Sequence, residues 1–279
     1  MLTPPKRVRL RIVDSEAVRP HEVADPGRER RIEARLRSDG VLRDPLMVGS
    51  VPDIDGYVLL DGTNRRRALA AIGLRWALVQ ILDYADAHAV ELRTWCHAAG
   101  RPLVEVVREA HTIPDIDITA LHPLEASDAL REPATLAVLL DHRQRFALRR
   151  TAMHCTPRPE QLRRLVDLYE DGMVREDCQL DEVEERAATA PAQLGGDRCL
   201  IAFPPFSRSQ VLSMAMEEVL IPAGITRHVV TGGRALRVNV PLNLLSSERN
   251  LDEANLALET HLATLQPRSY QEPTVLYDS

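Results

Sequence analysis

Apolar and polar positions alternate strictly at the start of the chain: Val8, Leu10 and Ile12 are interleaved with Arg7, Arg9 and Arg11. That period of two predicts a half-buried strand over Arg7 to Val13. Asp25-Pro26 then supplies an N-cap and a proline suited to the first helical position, Ile32 and Leu36 share one face, and Gly40 follows. A helix over about 26–38 is expected. Pro45 to Val48 and Tyr57 to Leu60 read as two short strands, Asn64 to Ile72 as a helix stopped by Gly73, and Trp76 to Leu82 as another strand. Strand, helix, strand, strand, helix, strand makes a compact α/β unit of about 85 residues.

From Ala85 to Arg186 the pattern turns mainly helical, most clearly at Pro159 to Glu170, where Leu162, Leu165, Val166, Leu168 and Tyr169 recur at helical spacing. Glu182 to Glu185 fits a solvated face, and Ala187 to Asp197, rich in Ala and Gly, reads as a linker. A strand near Cys199 to Phe203 follows, then a helix begun by Ser207 with Gln210 at capping-box spacing. His228 to Val230, Gly232-Gly233 and Ala235 to Val240 predict a hairpin. The expected division is 1–98, 99–195 and 196–279.

With 279 residues, 44% of them hydrophobic, the chain has ample length for a packed core. No apolar run approaches the roughly 20 residues of a membrane span, and Met1 to Leu10 lacks a signal-peptide core, so a cytoplasmic protein is expected. Cys96, Cys155, Cys178 and Cys199 match no zinc or redox spacing and read as reduced thiols. Basic charge rests on 34 Arg and one Lys, Lys6. A Walker loop or protein-kinase strand lysine, each needing a lysine inside the fold, is thereby excluded. Residues 1–75 carry a net +4 and the remainder −10, within a total of −6 and a pI of 5.9. So acidic a chain makes poor use of counterion release, which disfavours nucleic acid as a partner.

The basic end holds the chain's most informative stretch, V-L-L-D-G-T-N-R-R-R-A-L from Val58 to Leu69. An apolar strand runs through Asp61-Gly62 onto a helix start bearing Asn64, Arg65, Arg66 and Arg67. Free N–H groups, the positive helix end and guanidinium groups converge there, as phosphate binding requires. The same pattern also arises wherever an α/β unit turns a corner, with Asp61 capping the helix.

At Asp61-Gly62-Thr63-Asn64-Arg65, with His21-Glu22 before it and Trp95-Cys96-His97 after it, the chain resembles the ParB/sulfiredoxin superfamily. Its free L-serine kinase branch, which includes siderophore-pathway members, is the nearest in kind. The resemblance extends to I-P-A-G-I-T-R at Ile221 to Arg227 and V-N-V-P-L-N-L-L at Val238 to Leu245. Thr63 stands where sulfiredoxins need cysteine, and Thr63-Asn64 replaces the G-E-R-R continuation of ParB proteins. Asn64 also departs from the histidine usual in the kinases: an amide donates a hydrogen bond but carries neither charge nor a shuttled proton.

The resemblance implies an α/β (α+β) chain with a ParB/sulfiredoxin-like N-terminal nucleotide-binding domain, a helical middle part and a small α+β C-terminal domain. It implies ATP, or ADP, and Mg²⁺ as cofactors and free L-serine as substrate. Glu22 would be the catalytic base, while Asp61 orients the hydroxyl or holds Mg²⁺. Gly62, Thr63, Asn64 and Arg65 would hold the phosphates, and Trp95 and His97 would line the amino-acid pocket, although both residue types are also commonly core. Arg66 and Arg67 are expected as surface or domain-contact arginines. A pyridoxal-phosphate enzyme making 2,3-diaminopropionate precursors would consume O-phospho-L-serine; the resemblance is compatible with a homodimer, while the sequence leaves the oligomeric state open. The competing class is a ParB-like DNA-binding transcriptional or partition regulator.

Overall fold

The computed structural model describes residues 8–52, 54–151, 159–194 and 198–266; expectations attached to Lys6, Arg7, His154 and Cys155 fall outside these residues. Contacts gather the chain into two compact units, one from residues up to 18, 26–90 and 230 onward, the other from 19–25 and 91–229.

The first unit opens with β1 (Leu10–Asp14), β2 beginning at Val18 (Val18–Arg19), α1 (Pro26–Asp39), β3 (Val41–Leu42), β4 (Leu46–Ser50), β5 (Tyr57–Asp61), α2 (Thr63–Ala71) and β6 (Trp76–Asp83). This is the order the periodicity predicts, with the two-residue strands β2 and β3 added. The sheet runs β1-β6-β4-β5-β2, with β4 parallel to β6 and the β1–β6 and β4–β5 pairs antiparallel. Ile12, Val48, Leu59, Leu69 and Leu78 bury together under it. α1 packs on α2 and ends where the Gly40 N–H reaches the Leu36 carbonyl at 3.0 Å.

The second unit corrects the expectation of a helical middle part. It contains β7 (Val90–Ala99), α3 (Leu103–Ala110), β8 (Ile116–Ala120), α4 (Ala126–Ala129), β9 (Thr135–Leu140), β10 (Arg145–Arg150), α5 (Pro159–Asp167), β11 (Val174–Asp177), α6 (Val183–Leu194), β12 (Cys199–Ala202), α7 (Arg208–Met216) and β13 (Thr226–Val230). The sheet order is β11-β7-β12-β9-β10-β8, with β13 on β7. Every residue of β9 and β12 is buried. A strand covered on both faces shows a continuous apolar run, which periodicity cannot separate from a buried helix. α5 is the amphipathic helix expected, with Leu162, Leu165 and Val166 inward. The supposed linker from Ala187 is instead the continuation of α6 to Leu194.

Ser207 caps α7 with the reciprocal Gln210 bonds that the sequence predicts. The expected hairpin does not form. β13 pairs with β7, whereas β14 (Val240–Pro241) pairs with β3 through Val240 and Leu42 in the first unit. A glycine turn signals a reversal but not the partner of the strands beside it. In the first unit α8 (Leu251–Ala263) lies along β1, where Asn255 accepts from the Ile12 N–H and donates to the Ile12 carbonyl, both at 2.9 Å. The whole is α+β, as the sequence implies. Among the described residues no helix is long and apolar enough to cross a membrane.

Candidate active site

In the first unit β5 buries Val58, Leu59 and Leu60 and delivers Asp61 to its C-terminal end, a common place for α/β sites. Gly62 turns the chain at φ +111°, and a Cβ there would stand 2.7 Å from Leu46 Cδ2. The position therefore requires glycine. α2 starts at Thr63, and the Arg66 N–H closes its first turn on the Gly62 carbonyl at 2.9 Å. The N–H groups of the turn before it have no acceptor along the helix, so Thr63, Asn64 and Arg65 sit where an anion is favoured.

Asp61 does not cap this helix: the N-cap is Gly62, without a side-chain bond. Its Oδ2 instead accepts from Arg65 Nη2 at 2.7 Å and from Arg234 Nη1 at 3.4 Å. Burial alone would push the carboxyl up, but the charges of Arg65 and then Arg234 outweigh it and hold Asp61 below the usual carboxylate value. Arg66 turns away and donates to the Ser15 carbonyl at 3.0 Å, while Arg67 is largely exposed beside Glu29.

Both hydrogen bonds to Asp61 fall on Oδ2. Among the described residues no three carboxylate, histidine or cysteine side chains gather as a metal cluster. A divalent ion at this turn would therefore have Asp61 as its carboxylate and complete its shell with phosphate oxygens and water. That donor set suits Mg²⁺.

Glu22 belongs to the second unit, where a parallel bridge to Ile221 pins it. The Ile221 N–H donates to the His21 carbonyl at 3.0 Å, and the Val23 N–H donates to Ile221 at 2.9 Å. The carboxylate then accepts three bonds from one loop. Oε1 takes the Thr226 N–H at 2.9 Å and the Thr226 hydroxyl at 2.6 Å; Oε2 takes the Gly224 N–H at 3.1 Å. His21 Nε2 lies 2.7 Å from Thr226 Oγ1. Because the threonine proton goes to Glu22, this imidazole nitrogen is the donor.

His97 is fully buried on β7. Its Nε2 donates to the Gly224 carbonyl at 2.7 Å, so Nδ1 accepts from the Tyr169 hydroxyl at 3.0 Å. Burial pushes the imidazole down to about 4, which leaves it neutral. Trp95 is half-buried on the same strand rather than on a helix face. Its backbone N–H donates to the Ile225 carbonyl at 2.9 Å, and the Arg227 guanidinium lies 4.3 Å from its ring centroid while pairing with Asp177.

The structure thus joins Asp61 to Arg65, and Glu22 to the loop that His97 also holds. Sequence reasoning assigned no role to Gly224, Thr226 or Arg234. The first two lie inside the I-P-A-G-I-T-R stretch, so the signal was a resemblance without a function. Arg234 follows the glycine turn in an irregular segment and carries no local signal.

No family model matches the chain. The fold is that of the free serine kinases: a solved free serine kinase in complex with AMP superposes with a TM-score of 0.70 at 18% identity, over 88% of this chain and 97% of that one. The ATP-dependent L-serine kinase SbnI of Staphylococcus aureus is 22% identical over 88% of this chain and 87% of its own length. The ATP-dependent L-serine kinase of Staphylothermus marinus is 36% identical over 92 residues, 33% of this chain. This chain spans about a third (36%) of that last relative's length. The resemblance carried by His21-Glu22 and Asp61 to Arg65 is borne out by these relatives.

Proposed function

We propose that the chain is a nucleotide-dependent kinase that converts free L-serine to O-phospho-L-serine. The carrying observation is the Asp61–Gly62 turn, where a left-handed glycine, a helix N-terminus and Arg65 meet at an ionised carboxylate. Names of relatives over both short and near-complete spans support it.

In this reading Gly62, Thr63, Asn64 and Arg65 hold the nucleotide phosphates, with the Asn64 amide donating where histidine is usual. Glu22 takes the serine hydroxyl proton as the oxygen attacks the terminal phosphorus. The new O–P bond forms as the bridging P–O bond breaks, and the nucleotide leaves with that electron pair. Mg²⁺ held by Asp61 would offset charge on the phosphate oxygens. Trp95 has the exposure to wall the amino-acid pocket. ATP is the donor named for both relatives, and ADP remains an arm of the test. Phosphorylation turns the serine hydroxyl into a better leaving group, which suits consumption by a pyridoxal-phosphate enzyme making 2,3-diaminopropionate precursors, as for a siderophore.

Incubation with ATP or ADP and a panel of free amino acids, read by phosphorus NMR, should give O-phospho-L-serine from serine in preference to threonine or homoserine. Glu22→Gln should keep nucleotide binding and lower kcat by about 10²-fold or more. Wild-type kcat in that variant would remove Glu22 from the chemistry.

A further inference from the structure

We infer that Thr226 and His97 are positioning residues for Glu22, and that they leave Oε2 as its one open proton-accepting atom; this rests on the kinase reading of Glu22. A carboxylate offers about four lone-pair directions. Oε1 spends two on the N–H and hydroxyl of Thr226, and Oε2 spends one on Gly224. The remaining direction is on Oε2. His21 donates to Thr226 Oγ1 and so commits the threonine proton to Glu22.

Gly224 is the weak point of this cradle. At φ +79° it is the loop residue with the most backbone freedom, yet its N–H must stay on Oε2. His97 supplies the restraint by holding the Gly224 carbonyl from beneath, and Tyr169 occupies its other nitrogen. With both ring nitrogens engaged and no surface exposed, His97 acts through Gly224 and not as a wall of the amino-acid pocket.

Thr226→Val removes the hydroxyl and keeps the N–H; Thr226→Ser keeps both. The first should lower kcat by about 10-fold or more with KM for serine within about two-fold, and the second should restore kcat to within about three-fold of wild type. His97→Leu should follow the valine variant, with kcat reduced and KM unchanged. Independently of turnover, the loss in Tm for Glu22→Ala combined with Thr226→Val should fall well short of the sum of the single losses, because each single change already removes one partner of the Oε1–hydroxyl bond. Wild-type kcat in Thr226→Val, a raised KM at unchanged kcat in His97→Leu, or additive Tm losses would overturn the inference. If the wild type fails to phosphorylate serine, the kinase reading falls, and the Tm cycle alone still decides whether Thr226 holds Glu22.

Discussion

Arg65 and Arg66 are neighbours of one residue type whose side chains do different work. Arg65 lies against Asp61 at the start of α2, whereas Arg66 is tied to the Ser15 carbonyl. If the turn holds nucleotide, Arg65→Ala should weaken binding by about 1.5–3 kcal/mol, the worth of a charge-assisted bond to phosphate. Arg66→Ala should leave the nucleotide Kd within about two-fold and appear instead as lost thermal stability. Equal losses of affinity at both positions in a calorimetric titration would rule out this assignment. The contrast was legible in the motif, since helix geometry sends successive residues about 100° apart. The holders of Glu22 were not, because Gly224 and Thr226 approach it from 202 and 204 residues away. Nothing local in His21-Glu22 announces them.

At the scale of the element, legibility followed burial on one face or two. β1, α1, α2 and α5 each show a polar side, so their periods of 2 or 3.6 stand out. Buried throughout, β9 and β12 lose that mark. Turn chemistry survived best where geometry demands one residue type, as at Gly62. Gly62→Ala would force a side chain into φ +111° and set its Cβ 2.7 Å from Leu46 Cδ2, on a leucine with no exposed surface. A cost on the order of 1–3 kcal/mol is expected, with a matching fall in Tm and weaker nucleotide binding as the first turn of α2 shifts. A Tm equal to wild type would show that β4 and the turn relax together at no cost.

For the molecule as a whole, the buried neutral His97 makes stability depend on acid. Its value is the ordinary 6.5 in the unfolded chain and about 4 in the folded one. Between these limits the unfolded state binds the additional proton, so stability rises with pH across that window. The contribution is fully present above about pH 6.5, is lost progressively as pH falls toward about 4, and changes no further below that. Its ceiling is about 3 kcal/mol, from the 1.36 kcal/mol carried by each pKa unit. Asp61 acts in the same sense but at lower pH, since Arg65 and Arg234 hold its carboxyl below 3.8. Denaturant unfolding at steps from about pH 4.5 to 7.5 should therefore show stability climbing with pH in the wild type and a flatter climb in His97→Leu. Other carboxylates and histidines contribute slopes of their own, but these are common to both proteins, and the difference between the two curves isolates His97. A difference that stays constant across the whole pH range would mean that the imidazole is as easily protonated folded as unfolded. That result could not coexist with a ring whose Nδ1 accepts from Tyr169 while Nε2 donates to Gly224.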